Sequence, residues 1–248
     1  MPETLYLSVP KQYRLGMRKI YVKNIRQKLW RFYKRNAPKK DPIALFTNRY
    51  KSGEIHASVI DGAIDWYLSP LYHCEAEFST ISNTPQIHVL DLGCGPASVG
   101  HWLRQNDYQW CYTGVDIVPE AQHYFDSVPN SNLIEKDLNT LDKEDIKNPA
   151  DIIFMINAFG YVDNQARLLR LIHEVSHDNT FFFIMDAYPA SFWSNEYPTK
   201  RFKSNELTNI LQQNGWKVER KFHLSVYTIF NKPFMNLSHA FLCSRILD

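Results

Sequence analysis

The stretch from His88 to Leu103 constrains the fold of this chain more than any other. It reads His-Val-Leu-Asp-Leu-Gly-Cys-Gly-Pro-Ala-Ser-Val-Gly-His-Trp-Leu: a short apolar run, a turn of small residues, and the start of an amphipathic helix. A strand that ends in glycines and leads into a helix brings bare backbone N–H groups to the crevice above it. Because Gly93 and Gly95 have no side chain and adopt positive φ easily, a nucleotide-like ligand can lie against the main chain there.

The turn departs from the dinucleotide-binding fingerprint, which has a third Gly or Ala three residues after the second glycine. Ser98 stands at that position. Asp91 stands two residues before Gly93, and a carboxylate there suits a cationic ligand, whereas it would repel a pyrophosphate. The segment Asp91-Leu-Gly-Cys-Gly-Pro resembles the first motif of class I S-adenosylmethionine (SAM)-dependent methyltransferases. The resemblance implies a SAM site at this turn, with S-adenosylhomocysteine (SAH) as the product.

Three more strand-like runs follow, at residues 109–116, 132–138 and 151–161, and each ends in polar residues. The carboxyl ends of parallel strands meet at one edge of an α/β sheet, where such sheets bind ligands. An acid at the tip of the second strand can accept hydrogen bonds from both ribose hydroxyls. The resemblance then implies a cofactor site made of Tyr50, Asp91, Gly93, Cys94, Gly95, Asp116, Ile117, Asp137, Leu138, Asn157 and Ala158.

The remainder of the chain favours a doubly wound α/β fold. Apolar spacing predicts helices at 165–175 and 206–213, the second stopped by Asn214-Gly215, and strands at 181–186, 217–222, 224–230 and 238–246. Asn179 is predicted to adopt the left-handed conformation in a turn at 177–180. We expect a mostly parallel, seven-stranded Rossmann-like methyltransferase sheet, with five parallel strands and a terminal hairpin that inserts one strand antiparallel. The predicted domains are a basic helical N-terminal extension at 1–80 and a SAM-binding methyltransferase domain at 81–248.

Charge is distributed unevenly along the chain. Residues 1–40 hold twelve Lys or Arg and one acid, a net charge of +11, so the rest carries −9 to leave the whole at +2. Between residues 14 and 35 an apolar residue recurs every three to four positions among the basic ones, which predicts a basic amphipathic helix. Residues 11–40 therefore form a cap packed on the domain, an RNA contact, or a contact with an anionic membrane.

Other features exclude whole classes of protein. No stretch resembles a signal peptide or approaches the roughly 20 apolar residues of a membrane span. The four cysteines and nine histidines show no disulfide or metal-ligand spacing. We therefore expect a cytoplasmic protein with reduced thiols and no metal site.

Candidate catalytic residues are less defined than the cofactor site. A sulfonium is already activated, so alignment of the acceptor supplies much of the acceleration and a general base is optional. The tip at Asn157-Ala-Phe-Gly lacks the Asn/Asp-Pro-Pro-Tyr/Phe sequence of enzymes that methylate exocyclic amines. His56 and Tyr161 are the candidate bases, with His73 as a further one. Tyr50 and a helix at 57–68 are expected to border the acceptor pocket.

The predicted function is methyl transfer from SAM to an O or N atom of a small molecule. Two alternatives stay open from the sequence. The acceptor is RNA or a lipid recruited through the basic N-terminal helix, or the domain binds SAM without transferring its methyl group.

Overall fold

The computed structural model describes residues 2–8, 42–52, 68–81, 86–105, 110–187, 200–229 and 232–247. His56, most of the predicted helix at 57–68 and the basic segment 11–40 lie outside the described residues.

A single mixed sheet organises the described part of the chain. Its eight strands are β1 (Glu3–Ser8), β2 (Ile87–Leu92), β3 (Trp110–Asp116), β4 (Ser131–Glu135), β5 (Ala150–Ile156), β6 (Ser176–Ala187), β7 (Trp216–Ile229) and β8 (Lys232–Arg245). They lie in the order β1-β7-β8-β6-β5-β2-β3-β4. Only β8 is antiparallel to its neighbours β6 and β7, and the other described pairs are parallel. The doubly wound α/β prediction is confirmed.

The predicted number of seven strands was one too few. The extra strand is β1, which pairs in parallel with β7 from Glu3 opposite Arg220 to Ser8 opposite Ser225. Leu5 and Leu7 pack on the apolar core. Because the segment is short and only Leu5 and Leu7 are partly buried, its pattern is weak in the sequence, and pairing with a distant strand stabilises it.

Helices cover both faces of the sheet. In chain order they are α1 (Pro42–Lys51), α2 (Ser69–Tyr72), α3 (Glu75–Ser79), α4 (Ser98–Gln105), α5 (Gln122–Phe125), α6 (Gln165–Glu174) and α7 (Ser204–Gln213). One core lies under α2 to α5 and the other under α6 and α7. In the described part of the chain, none of the helices has the length and hydropathy needed to span a membrane.

Two local predictions were wrong. The strands expected at 217–222 and 224–230 form the single strand β7, because its pairing with β8 continues through residue 223. The turn expected at 177–180 belongs to β6, and Asn179 is not left-handed. There the Thr180 hydroxyl accepts the His177 N–H at 2.6 Å and donates to the Ala150 carbonyl at 2.6 Å. The Thr180 side chain thus makes the hydrogen bonds that the backbone would make in a tighter turn. The end of α7 is as predicted, with Gly215 at φ 84°.

Candidate cofactor and active site

The glycine turn between β2 and α4 is built around left-handed residues. Gly93 has φ 72° and Gly95 has φ 53°. The N–H groups of Gly93 and Cys94 donate to the Val115 carbonyl at 2.8 and 3.1 Å, which ties the turn to β3. A methyl group on Gly93 would lie 2.4 Å from the Cβ of Ala158, so any side chain there would collide with the end of β5. The turn therefore presents bare backbone at the carboxyl edge of the sheet.

Asp116 at the tip of β3 holds the turn from the other side. Its Oδ2 accepts the Gly95 N–H at 2.8 Å, and its Oδ1 accepts the Val118 N–H at 2.9 Å. Burial raises the pKa of this carboxyl group, against backbone hydrogen bonds from Val118, Gly95 and Ile117 that lower it. Because each carboxylate oxygen has a second lone pair, Asp116 can still accept hydrogen bonds from a ligand.

Asp91 lies beneath the turn, near the end of β2, and only 2% of its surface is exposed. Its Oδ2 accepts the Tyr112 hydroxyl at 2.6 Å. Burial raises the pKa of Asp91 from 3.8 to about 7, the Tyr112 hydrogen bond opposes the rise, and the charge of Asp116 adds to it. The charge of Asp116 thus acts on Asp91, and the ionised forms of these two acids favour a cationic ligand.

The loop after β4 forms the next wall. The Cδ1 of Leu138 lies 3.8 Å from the position of a methyl group on Gly93. The half-buried Asp137 bonds within its own loop, where its Oδ1 accepts the Asn139 N–H at 2.9 Å. Arg167 of α6 holds this loop by donating to the carbonyl oxygens of Asn139 at 3.1 Å and Leu141 at 2.6 Å.

Helix α1 covers the site from above. A methyl group on Gly95 would lie 3.4 Å from the Tyr50 hydroxyl oxygen, and 9% of Tyr50 is exposed. The helix packs against the 3₁₀ turn Pro119–Ala121, and Lys51 forms an ion pair with Glu120 at 3.3 Å. Burial, followed by the charge of Asp116, raises the pKa of Tyr50, which keeps its hydroxyl protonated and able to donate.

The end of β5 lies beside the turn, next to β2 and on the side away from β3. Asn157 is exposed, has φ 55°, and donates its N–H to the Met185 carbonyl at 2.7 Å. Tyr161 ends the 3₁₀ turn Phe159–Tyr161, where its N–H donates to the Ala158 carbonyl at 3.0 Å. The ring of His73 lies 6.4 Å from that of Phe222, over the middle of β7 and away from this edge.

The structure thus brings the predicted cofactor residues to one edge of the sheet. Half-buried Ile117 follows Asp116 and packs on the core. Sequence reasoning missed Ala97, which has φ 53° in the same turn, and the supports Tyr112 and Arg167. Of these three residues, only Tyr112 could have been found from the sequence. It lies four residues before Asp116 on the same strand, and therefore on the same face of the sheet. Within the described residues, no three His, Cys, Asp or Glu side chains form a group that could hold a metal ion.

Comparisons with known proteins agree with this geometry. The family described as "Methyltransferase domain" matches residues 21–231, most of the chain. The plantazolicin methyltransferase BpumL, solved with a triazolic desmethyl analog and SAH, is 17% identical with a TM-score of 0.58 over 94% of this chain and 99% of its own. A SAM-dependent methyltransferase from Mesorhizobium loti is 15% identical with a TM-score of 0.55 over 75% and 99%.

A SAM-dependent methyltransferase from Aquifex aeolicus is also 17% identical, with a TM-score of 0.50 over 64% of this chain and 82% of its own. No protein of curated function matches the chain in sequence.

The side-chain-free turn and the two carboxylates fit an adenosine with a cationic sulfonium tail. This chain belongs to the class I SAM-dependent methyltransferases, and SAM is its cofactor.

Proposed function

We propose that the protein transfers the methyl group of SAM to an O or N atom of a small-molecule acceptor. The observation that carries the proposal is the cover over the glycine turn, where Tyr50 of α1 is buried beside Gly95. Because α1 lies so close over the glycine turn, the site favours a small acceptor that the protein can enclose. BpumL, which matches this chain over nearly its full length, was solved with a triazolic desmethyl analog and SAH.

In this proposal each part of the cofactor has its own contact. The backbone of Gly93, Cys94 and Gly95 lies against it, and Asp116 accepts hydrogen bonds from the ribose hydroxyls. Asp91 attracts the cationic tail through the negative charge beneath the turn. Further contacts come from Ile117, Asp137 and Leu138 around the adenine, Asn157 and Ala158 beside the methyl group, and Tyr50 above.

The bound cofactor supplies an activated methyl group, and the chain supplies alignment and exclusion of water. Tyr161, in the turn after Asn157, is a candidate base on the acceptor side. His56 remains a predicted base outside the described residues.

A second candidate acceptor is RNA or an anionic lipid. Residues 1–40 carry a net charge of +11, and β1 ends at Ser8, toward the same edge of the sheet as the site. This alternative predicts binding that falls steeply with salt, or binding to anionic vesicles.

The deciding experiment uses SAM with a tritiated methyl group and three separate acceptor pools: small molecules from a cell extract, total RNA, and vesicles containing anionic lipid. We expect label in the small-molecule pool, and less of it at limiting SAM in a matched Asp116→Ala reaction. A second variant replaces six basic residues by Gln and leaves β1 intact: Arg18, Lys19, Lys23, Arg26, Arg31 and Lys34. Label confined to RNA or lipid, and lost in that variant, would contradict the small-molecule proposal.

A further inference from the structure

Three alternate residues of β3 face the same side of the sheet: Tyr112, Gly114 and Asp116. Gly114 is in register with Asp91 of β2, so Asp91 shares that face. A methyl group on Gly114 would lie 2.7 Å from the Sγ of Cys94, in the glycine turn. The missing side chain at Gly114 therefore leaves room beside Asp91, and Tyr112 reaches Asp91 from two residues earlier on β3.

A direct hydrogen bond joins the two side chains. The Tyr112 hydroxyl donates to the Oδ2 of Asp91 at 2.6 Å, and both residues are buried. Burial, followed by the charge of Asp91, raises the pKa of Tyr112, so the phenol keeps its proton and is the donor. Among the described residues, no side-chain hydrogen bond involves the Oδ1 of Asp91. The protein thus holds one oxygen of this carboxyl group and leaves the other for a ligand.

The Tyr112 ring is itself held by a helix and by a second aromatic ring. A methyl group on Gly100, in the first turn of α4, would lie 3.0 Å from the ring carbon Cε1 of Tyr112. The ring also stacks on that of Phe125 in α5, with centroids 5.5 Å apart. Because these contacts fix the ring, the hydroxyl keeps one position relative to Asp91. A ligand-binding side chain needs support of this kind to hold its geometry.

The hydrogen bond also affects the charge of Asp91. Burial raises the pKa of Asp91 to about 7, and the bond from Tyr112 opposes that rise. A hydrogen bond donated to the charged form of a carboxyl group favours that form. The ionised form is the one that attracts a cation.

We propose that Tyr112 is a positioning residue for SAM: its hydroxyl holds Oδ2 of Asp91, favours the ionised carboxylate and leaves Oδ1 turned toward the cationic tail of the cofactor. This inference rests on the part of the proposed function that assigns Asp91 to that tail. A proton and SAM then compete for the same carboxylate. The Tyr112 hydroxyl therefore sets the pH range in which SAM binds tightly.

Other titratable or charged groups surround Asp91 and titrate with it. Within the described residues they include Asp116 of β3, Cys94 of the turn, Tyr50 of α1, Glu120 of the 3₁₀ turn, His123 and Tyr124 of α5, Asp137 after β4, and His101 and Arg104 of α4. On β5 the only ionisable side chain is Asp151, at the opposite end of the strand. All of these groups stay in place when Tyr112 is changed, so a variant is compared with the wild type at the same pH.

The first test is the affinity of the full-length Tyr112→Phe protein for SAM, measured by calorimetry from about pH 5.5 to 9. Phe keeps the ring and its packing but removes the donor, so the pKa of Asp91 should rise above about 7. We expect a Kd roughly 10- to 100-fold above the wild-type value near pH 6, the range for losing a hydrogen bond to a charged group. This ratio should fall as the pH rises, because Asp91 then ionises in the variant too. Taking the ratio at each pH cancels the titration of SAM itself.

Two further variants control this measurement. Tyr72→Phe is the matched control, because the Tyr72 ring packs against Trp102 of α4 and the residue is 40% exposed. It should leave the Kd unchanged at every pH. Gly100→Ala should displace the Tyr112 ring and raise the Kd with the same pH dependence, by a smaller factor. A Tyr112→Phe ratio that is the same at every pH, as a purely structural role would give, overturns the proposal.

The second test follows Asp91 without SAM. Carbon-13 NMR of the side-chain carboxyl groups gives the midpoint of its ionisation, with its signal assigned from the spectrum of Asp91→Asn. The midpoint should rise by about one to two pH units in Tyr112→Phe and stay in place in Tyr72→Phe. An unchanged midpoint in Tyr112→Phe overturns the proposal, and so does a raised midpoint with a Kd ratio that does not vary with pH. Failure of the proposed small-molecule acceptor would show separately, as label in the RNA or lipid pool.

Discussion

Replacing Asp91 with Asn should stabilise the protein and weaken its hold on SAM. The pKa of Asp91 is about 7 in the folded protein, against an ordinary value of 3.8. A group whose folded pKa is raised favours folding when protonated, so stability falls as pH rises from about 4 to 7 and then levels off. At pH 8 the buried charge costs about 4 kcal/mol, since each pH unit between the two values contributes about 1.4 kcal/mol.

Asn avoids that cost because its side chain is neutral. Its carbonyl oxygen still accepts the Tyr112 hydroxyl, but its buried NH₂ group replaces an oxygen, at a cost of about 1–3 kcal/mol. We therefore expect Asp91→Asn to be about 1–3 kcal/mol more stable than wild type at pH 8. Lowering the pH to about 5.5 should reduce that advantage by about 2 kcal/mol, whatever the amide costs. Urea unfolding at both pH values measures the difference.

The same substitution should weaken SAM binding by roughly ten- to a hundredfold, the range for losing an interaction with a charged partner. In the wild type, SAM binding near pH 6.5 should release protons, because a cationic ligand favours ionised Asp91. Calorimetry in buffers of different ionisation enthalpy detects that release. Asp151→Asn is the control, because Asn there can still accept the His88 N–H at the opposite end of the sheet. Equal stability differences at the two pH values, or unchanged affinity for SAM, would refute this reasoning.

Three further perturbations test the walls of the site. Asp116→Ala removes the proposed ribose acceptor and the bond from Gly95, so SAM affinity measured by calorimetry should fall by about 1–3 kcal/mol; equal affinity would contradict the assignment. Gly93→Ala should lower the melting temperature, because its Cβ would lie 2.4 Å from that of Ala158. Adding Ala158→Gly should restore part of the loss, and no recovery would mean that the positive φ dominates. Arg167→Ala frees the loop that carries Leu138, so hydrogen exchange there should rise and SAM binding weaken, whereas unchanged exchange would show that the loop is held by other contacts.

Much of this fold follows from local pattern. Of the four strands with polar tips, β2 and β5 are apolar over most of their length because both of their faces are covered, which makes them recognisable without knowing their partners. The glycine turn is equally local, since positive φ at residues 93 and 95 favours glycine in any context. Placing the acidic tips at one edge then required only that the strands be parallel.

Features that depend on pairing between distant segments could not be found this way. β1 is a strand because β7 lies beside it, and β7 is unbroken because β8 continues through residue 223. The position of Tyr50 over Gly95 was expected only from the family resemblance, because it arises from packing between segments 45 residues apart in the chain.

The amino-acid sequence by itself indicated the family and the cofactor through the resemblance of its glycine turn to a known motif. It also placed the carboxylates at strand ends, because glycine conformation and strand-end chemistry act within a few residues of the chain. Only the tertiary structure decided that Asp91 is buried with a raised pKa, and that the Tyr112 hydroxyl donates to it from the neighbouring strand. Burial and strand register are properties of the assembled sheet, and no local pattern encodes them.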